Sequence, residues 1–250
     1  MSHGSLAGLR ILLTRPAGEG ADEWAAAFER AGALPIAYPT VAILPPESWQ
    51  AVDDAIANLL VYDWVIFTSQ TAVDHFARRL PTGLFPSDLR ASIAAVGKST
   101  AQSVARLGGN VVLVPADSRQ EGLVEALRFL AAGTRVLLPL ASGGRTLLAQ
   151  SLRAAGCLVD VVSIYRTEPK QDLATPPEFD AVVFASPSAL RAFVNRFGTS
   201  SLADKTIAAI GPTTAKEAVT RGLRVVVADS PGVDALVLAI SQTRSNPGGT

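Results

Sequence analysis

The chain carries one passage twice. Tyr62-Asp63-Trp64-Val65-Ile66-Phe67-Thr68-Ser69-Gln70-Thr71-Ala72-Val73 returns as Phe179-Asp180-Ala181-Val182-Val183-Phe184-Ala185-Ser186-Pro187-Ser188-Ala189-Leu190. Ile93-Ala94-Ala95-Val96-Gly97-Lys98-Ser99-Thr100-Ala101 then returns as Ile207-Ala208-Ala209-Ile210-Gly211-Pro212-Thr213-Thr214-Ala215. The spacing between the two blocks differs slightly from copy to copy, which an intervening loop absorbs. A unit this long is half a protein, whereas solenoid repeats run to roughly 20–50 residues. Two related halves predict a pseudo-symmetric molecule that binds its ligand between them.

Each copy reads as alternating strand and helix. Val65–Phe67 and Val182–Phe184 are apolar runs of central-strand character. Ser69 and Ser186 follow where the cap of the next helix belongs. Val73, Phe76, Ala77 and Leu80, and again Leu190, Phe193, Val194 and Phe197, form helical stripes. Ile93–Val96 and Ile207–Ile210 are the next strands. Gly97 and Gly211 are expected as tight turns, followed by helices over Thr100–Leu107 and Thr214–Arg221. Val111–Val114 and Val225–Val227 are further strands, and helices are expected over Gly122–Leu130 and Ala235–Gln242.

The segment before each copy shares a plan. Leu9–Thr14 and Arg135–Leu138 are strands, with Gly-rich turns at Ala17–Gly20 and Ser142–Gly144. Helices are expected to about Ala31 and over Thr146–Ala155, each stopped by a left-handed glycine, Gly32 or Gly156. Single strands follow over Leu34–Val41 and Leu158–Arg166. This alternation predicts parallel sheets covered on both faces by helices, an α/β fold. Every strand's C-terminal end then lies on one edge of its sheet, where ligands bind beside helix N-termini. That edge carries Arg15–Gly20, Thr68–Thr71, Gly97–Thr100, Ala116–Gln120, Ala141–Arg145, Ser186–Ser188, Gly211–Thr214 and Asp229–Asp234.

The chain has 250 residues, enough for one large domain or two small ones. Lysine plus arginine number 22 and aspartate plus glutamate 22, so no global field favours nucleic acid or an anionic membrane. An anionic ligand must be held by local charges, hydroxyls and backbone N–H groups. The single cysteine, Cys157, rules out an internal disulfide and suits a reducing cytoplasm. No apolar run approaches the roughly 18 residues of a membrane span. Met1–Ser5 shows no signal-peptide pattern, and residues 245–250 read as a frayed tail.

Conventional catalytic groups are scarce. His3 lies in the tail, and His75 reads as a surface or half-buried histidine on a helix. A serine or cysteine nucleophile therefore lacks a base, and His/Cys zinc is disfavoured. Gly97-Lys98-Ser99 resembles the end of a P-loop, but Ser92 stands where that pattern needs glycine. Gly18 and Gly20 lack a third glycine at Glu23. Asp53-Asp54 and Asp22-Glu23 read as solvated helix faces, Asp63 and Asp180 as local turn residues. The profile suits an enzyme that shapes a reactive substrate.

Taken with Leu12-Leu13-Thr14-Arg15-Pro16, Phe67-Thr68-Ser69, Gly97–Ala101, Ser163-Ile164-Tyr165-Arg166-Thr167, Phe184–Ser188 and Ile210–Ala215, the chain resembles the uroporphyrinogen-III synthase family over about residues 8–243. The resemblance implies two similar doubly wound parallel-sheet lobes, joined by a pair of extended linker strands, with an active-site cleft between them. It implies one lobe of residues 1–38 plus 167–250, another of 42–163, and linkers at about 39–41 and 164–166. Short connections alone favour a cut near Ala132-Gly133 instead. The implied substrate is hydroxymethylbilane, a linear tetrapyrrole with eight carboxylates. Its terminal hydroxyl leaves as water, the last ring is inverted, and the macrocycle closes. No metal or organic cofactor is implied.

In that resemblance Tyr165 faces the cleft and is the acid assisting departure of the hydroxyl, although the substrate readily forms its azafulvene unaided. The binding residues would be Arg15, Thr68, Ser69, Gly97, Lys98, Ser99, Thr100, Ser142, Arg145, Ser186, Pro187, Ser188, Gly211, Pro212, Thr213 and Thr214, with Arg191 nearby. Against these roles stand plain ones: Tyr165 packing at a linker, the hydroxyl residues capping helices, Arg15 pairing with Glu19 or Glu23. Ala185 replaces the hydroxyl residue common in the family before Ser186, so no side-chain bond is assigned there. The expected protein is a cytoplasmic monomer with at most a transient contact to the preceding pathway enzyme. Two alternatives remain: a non-catalytic two-lobed tetrapyrrole or metabolite binding module, and a nucleotide- or phosphosugar-dependent enzyme.

Overall fold

The structure, a computed structural model, describes residues 6–16, 19–81, 90–229 and 232–245. Ala17 and Gly18 of the first glycine-rich turn, residues 230–231 of the Asp229–Asp234 loop, His3 and the tail lie outside them. In chain order come β1 (Arg10–Leu13), α1 (Glu19–Arg30), β2 (Leu34–Ala37), β3 (Val41–Leu44), α2 (Gln50–Ala57), β4 (Trp64–Phe67), α3 (Gln70–Arg79), β5 (Ser92–Ala95) and α4 (Lys98–Arg106). Then follow β6 (Val111–Leu113), α5 (Gln120–Ala126), β7 (Arg135–Ala141), α6 (Leu147–Ala154), β8 (Leu158–Pro169) and β9 (Ala181–Phe184). The last are α7 (Pro187–Phe197), β10 (Thr206–Ala209), α8 (Pro212–Val219), β11 (Val226–Val227) and α9 (Val233–Ser245).

The chain forms two compact units, Met1–Ile43 with Thr167–Thr250, and Leu44–Arg166. The first sheet runs β11-β10-β9-β1-β2, all neighbours parallel. The second runs β3-β8-β7-β4-β5-β6, with β8 through β6 parallel. Leaving out β3, the two sheets place corresponding strands alike, but in chain order the first is the doubly wound 2-1-3-4-5 and the second 3-2-1-4-5, because β7 and β8 follow β4 to β6. The N-terminal β1 and β2 lead into the sheet of the second copy, and β7 and β8 into that of the first. In folds of either order ligands bind where the connections reverse direction, at the C-terminal ends of the two strands that flank the switch. Those places are β1 beside β9, and β7 beside β4.

The cores repeat as the sequence does. On β4, Val65 and Phe67 pack with Val73, Phe76 and Val104 on one face, while Ile66 joins Leu123, Leu127, Leu148 and Leu152 on the other. On β9, Ala181 and Val183 meet Trp24, Phe28, Leu236 and Ile240, while Val182 and Phe184 meet Leu190, Phe193 and Ala218. Burial on both faces explains why these strands are continuously apolar rather than alternating. The helix stops at Gly32 and Gly156 have φ of 86° and 88°, the left-handed geometry expected of them.

One expectation needs correction. Leu34–Val41 is not one strand: Tyr38-Pro39-Thr40 separates β2 from β3, which belong to different sheets. Proline cannot donate to a ladder, so the break falls where continuation is weakest. Gly97 and Gly211 stand at the bends between strand and helix as expected, in extended backbone with φ of −167° and −173°.

Asp63 and Asp180 do more than shape turns. Each joins the starts of three strands. Asp180 N–H donates to the Arg10 carbonyl, Thr206 N–H donates to the Asp180 carbonyl, and Arg10 N–H donates to Asp180 Oδ2 at 2.9 Å. Asp63 repeats the pattern with Arg135 and Ser92, its Oδ2 accepting Arg135 N–H at 2.8 Å. The Arg10 side chain and backbone N–H hold the Asp180 carboxyl below its ordinary range. A depressed carboxylate stabilises the fold fully above the unfolded pKa, and that contribution fades as pH falls through the lower folded value. Asp180→Ala should therefore cost about 1 kcal/mol at neutral pH and less at about pH 3, measured by urea titration at both.

Candidate functional site

In the unit Leu44–Arg166, the β7/β4 crevice carries a tyrosine. The register of β7 against β8 shifts between Leu140 and Ala141, so that Ala141 faces Tyr165. Ser142 N–H donates to the Tyr165 carbonyl at 2.7 Å and fixes this end of β8. A shift of this kind re-aims a side chain at a sheet rim. The Tyr165 hydroxyl reaches past β7 to the end of β4 and lies 3.3 Å from Ser69 Oγ. Ser69 also caps α3, its Oγ accepting Ala72 N–H at 3.0 Å.

Burial pushes the Tyr165 phenol above the usual tyrosine value, and the bond to Ser69 partly opposes this. The phenol therefore keeps its proton at neutral pH. His75, one turn along α3, stacks on the Tyr165 ring with centroids 5.5 Å apart and planes 32° apart. Burial, aided by Arg78 and opposed by Asp74, holds His75 below the ordinary histidine value. It is half-buried, as its sequence position suggests, but its contact with Tyr165 left no trace in the local sequence.

Around this pair, Thr68 is half-buried, and Lys98, Ser99, Ser142 and Arg145 are exposed. Gly97 caps α4 without a side chain. A Cβ at Gly97 would lie 3.0 Å from Ser118 Oγ, a tight approach that favours glycine there although the extended φ does not demand it. No side chain caps α4, so the N–H groups of its first turn can serve an anion. Arg145 donates to Glu121 Oε1 at 2.7 Å, an exposed pair of the weak kind that a ligand carboxylate can displace.

In the other unit, Thr14 stitches the β1/β9 crevice. Its Oγ1 donates to the Val183 carbonyl at 2.9 Å and accepts Ala185 N–H at 3.3 Å. Ala185 thus contributes its backbone where a hydroxyl side chain is missing. Arg15 lies beside it, its guanidinium 5.2 Å from the Trp24 ring centroid. Burial pulls Arg15 below the ordinary arginine value, with Glu23 opposing, and an arginine so placed remains protonated. Of the two partners expected for Arg15, Glu23 acts on it through its charge, and the side chain of Glu19 lies outside the described residues.

Ser186 caps α7 through Ala189 N–H at 3.1 Å and lies 2.9 Å from Ser188 Oγ. Pro187 and Pro212 open α7 and α8, a position where a missing N–H costs nothing. Gly211 caps α8 with no side chain, and Thr213 is exposed. Arg191 is paired with Glu217 at 3.0 Å, and Glu217 also accepts from Arg221 at 2.9 Å. Thr100 and Thr214 must be withdrawn as binding residues. Each is 3% exposed and sits on the buried side of its helix, where its hydroxyl cannot meet a ligand. Among the described residues no three His, Cys, Asp or Glu side chains are grouped to hold a metal. No helix there is long and apolar enough to cross a membrane.

These features define an α/β protein of two doubly wound units, with hydroxyl and amide donors at the strand C-termini and a protonated tyrosine at one crevice. The family model described as uroporphyrinogen-III synthase HemD matches residues 22–238. The uroporphyrinogen-III synthase of Synechococcus elongatus is 33% identical, covering 97% of this chain and 98% of that protein. The chain belongs to the uroporphyrinogen-III synthase family, cyclising lyases of tetrapyrrole biosynthesis. A putative uroporphyrinogen-III synthase of Methanothermobacter thermautotrophicus is 28% identical over 92% of this chain and 97% of that one. The fold is shared with two solved structures. A mutant uroporphyrinogen III synthase of Thermus thermophilus has a TM-score of 0.62 at 17% identity, covering 96% of this chain and all of that one. The Helicobacter pylori synthetase has a TM-score of 0.63 at 18% identity, covering 95% and 99%.

Proposed function

We propose that this chain closes hydroxymethylbilane to uroporphyrinogen III, inverting the terminal ring and releasing water, with Tyr165 as the acid. The observation that carries the role of Tyr165 is its contact with Ser69. Ser69 Oγ accepts Ala72 N–H and still has its own proton to donate to Tyr165 Oη, the direction this reading requires. With Ser69 as donor, the phenol proton is free for the departing hydroxyl. As the carbon–oxygen bond breaks, that oxygen takes the proton and leaves as water, the electron pair of the pyrrole nitrogen filling in behind it. Ser69 stabilises the phenolate left behind. The proton lost from the pyrrole carbon after ring closure restores Tyr165.

Recognition of the carboxylates falls to Arg15, Lys98 and Arg145, to the hydroxyls of Thr68, Ser99, Ser142, Ser186, Ser188 and Thr213, and to the uncapped first turns of α4 and α8, opened by Gly97 and by Gly211-Pro212. In this reading the enzyme uses no cofactor and works as a cytoplasmic monomer that meets the preceding pathway enzyme only briefly. The test is to supply fresh hydroxymethylbilane and separate the type I and type III products. Predominantly type III product is expected. Type I alone, at the spontaneous rate, would leave only a binding module.

Gly211 offers a sharper probe. Nothing lies within 4 Å of the Cβ it would carry, and its extended φ suits any residue. Beyond its role as the cap of α8, a ligand lying against that helix would give its absent side chain a purpose. Gly211→Ala should raise KM by roughly fivefold while costing under about 1 kcal/mol of stability, from the poorer helix cap. Unchanged KM would remove α8 from the binding surface.

A further inference from the structure

Tyr165 is held by one helix at two points. Ser69, the cap of α3, meets its hydroxyl, and His75 of the same helix meets its ring at a tilt. We propose that His75 is a positioning residue for Tyr165, fixing the plane of the phenol while Ser69 fixes its oxygen. The proposal rests on the reading of Tyr165 as the acid.

The physical reason is rotational. A phenol anchored at its oxygen alone can still tilt about that anchor, and a tilt displaces the proton it must deliver. One side of the ring packs against the core of β4 and α3, and the tilted imidazole of His75 restrains it further. Both contacts share one rigid support, because Ala72, Val73 and Phe76 of α3 are fully buried against the sheet of β4. The groups acting on His75 are Asp74 and Arg78 of its own helix and Tyr165 of β8. With Arg78 and burial disfavouring imidazolium, the ring stacks as a neutral face and does not draw the phenol towards phenolate before the reaction.

The experiment compares H75A, H75F, Y165F and H75A/Y165F for type III formation, together with tyrosine-ring NMR. The chain has 3 tyrosines, so the Tyr165 signals are identified by their loss in Y165F. H75A should lower kcat about fivefold and leave KM within about twofold, because orientation rather than binding is lost. H75F, which keeps a flat ring, should restore most of the loss. In the Y165F background H75A should cost nothing further. The Tyr165 ring signals should move in H75A, while those of Tyr38 and Tyr62 stay.

Equal losses in both backgrounds, failure of Phe to rescue, or unmoved Tyr165 signals would each overturn the proposal. A larger loss from H75A than from Y165F would overturn it too, by making His75 itself the acid. Wild-type turnover in Y165F would remove Tyr165 from the chemistry, and this role of His75 with it. That failure differs visibly from failure of the ring contact alone, in which Y165F is slow and the H75A spectrum is unchanged.

Discussion

Replacing Tyr165 by phenylalanine should slow type III formation about a hundredfold, with KM within a factor of about two. The value is at the low end for a general acid because the substrate ionises readily by itself. The change keeps the ring that packs against His75 and removes only the hydroxyl beside Ser69. The Ser69 cap on α3 remains, so stability should barely move. The pH profile provides an independent check. Burial raises the phenol above the ordinary tyrosine value, so the wild-type rate should not fall through loss of this proton until the pH exceeds about 10. In Y165F that alkaline limb should be absent. Stopped assays separating the two isomers across pH read both effects, and an unchanged rate would take Tyr165 out of the mechanism.

Much of this arrangement is legible in the sequence because it is local. The Val65–Phe67 and Val182–Phe184 strands, the Ser69 and Ser186 caps and the Gly32 and Gly156 stops all follow from residues within a few positions of one another. The pairing of β1 with β9 is not local. Arg10 bonds to Asp180 across most of the chain, and nothing near Arg10 announces that partner. Only the family resemblance suggested such an exchange. The division of Leu34–Val41 was hidden for a related reason: a run of strand-forming residues does not record that the chain is leaving one sheet for another. Thr100 and Thr214 misled because hydroxyl residues at helix starts are both caps and ligand donors, and only burial tells which side they face. The sequence places His75 half-buried on a helix but cannot show its tilted ring contact with Tyr165, ninety residues away.

Phe193 is the position where a single truncation should do most damage to the fold. It is completely buried. Its ring meets those of Phe197 at 5.1 Å, Phe184 at 5.7 Å, Tyr38 at 6.2 Å and Phe179 at 6.4 Å. These partners come from α7 itself, β9, the segment after β2 and the approach to β9, so one side chain ties the swapped N-terminal strands to the second copy. Phe193→Ala should cost about 3–5 kcal/mol, because the surrounding rings cannot all collapse into the space left. A loss of that size is a large share of the roughly 5–15 kcal/mol that holds a typical domain. Trp24 reports on this unit, while Trp49 and Trp64 belong to the other. In a W49F/W64F background, the urea midpoint read by Trp24 should fall sharply on Phe193→Ala. The midpoint read by Trp49 and Trp64 in a W24F background should shift less. Equal shifts in both would mean that the units unfold as one cooperative body, and that the Phe193 cluster supports the whole chain.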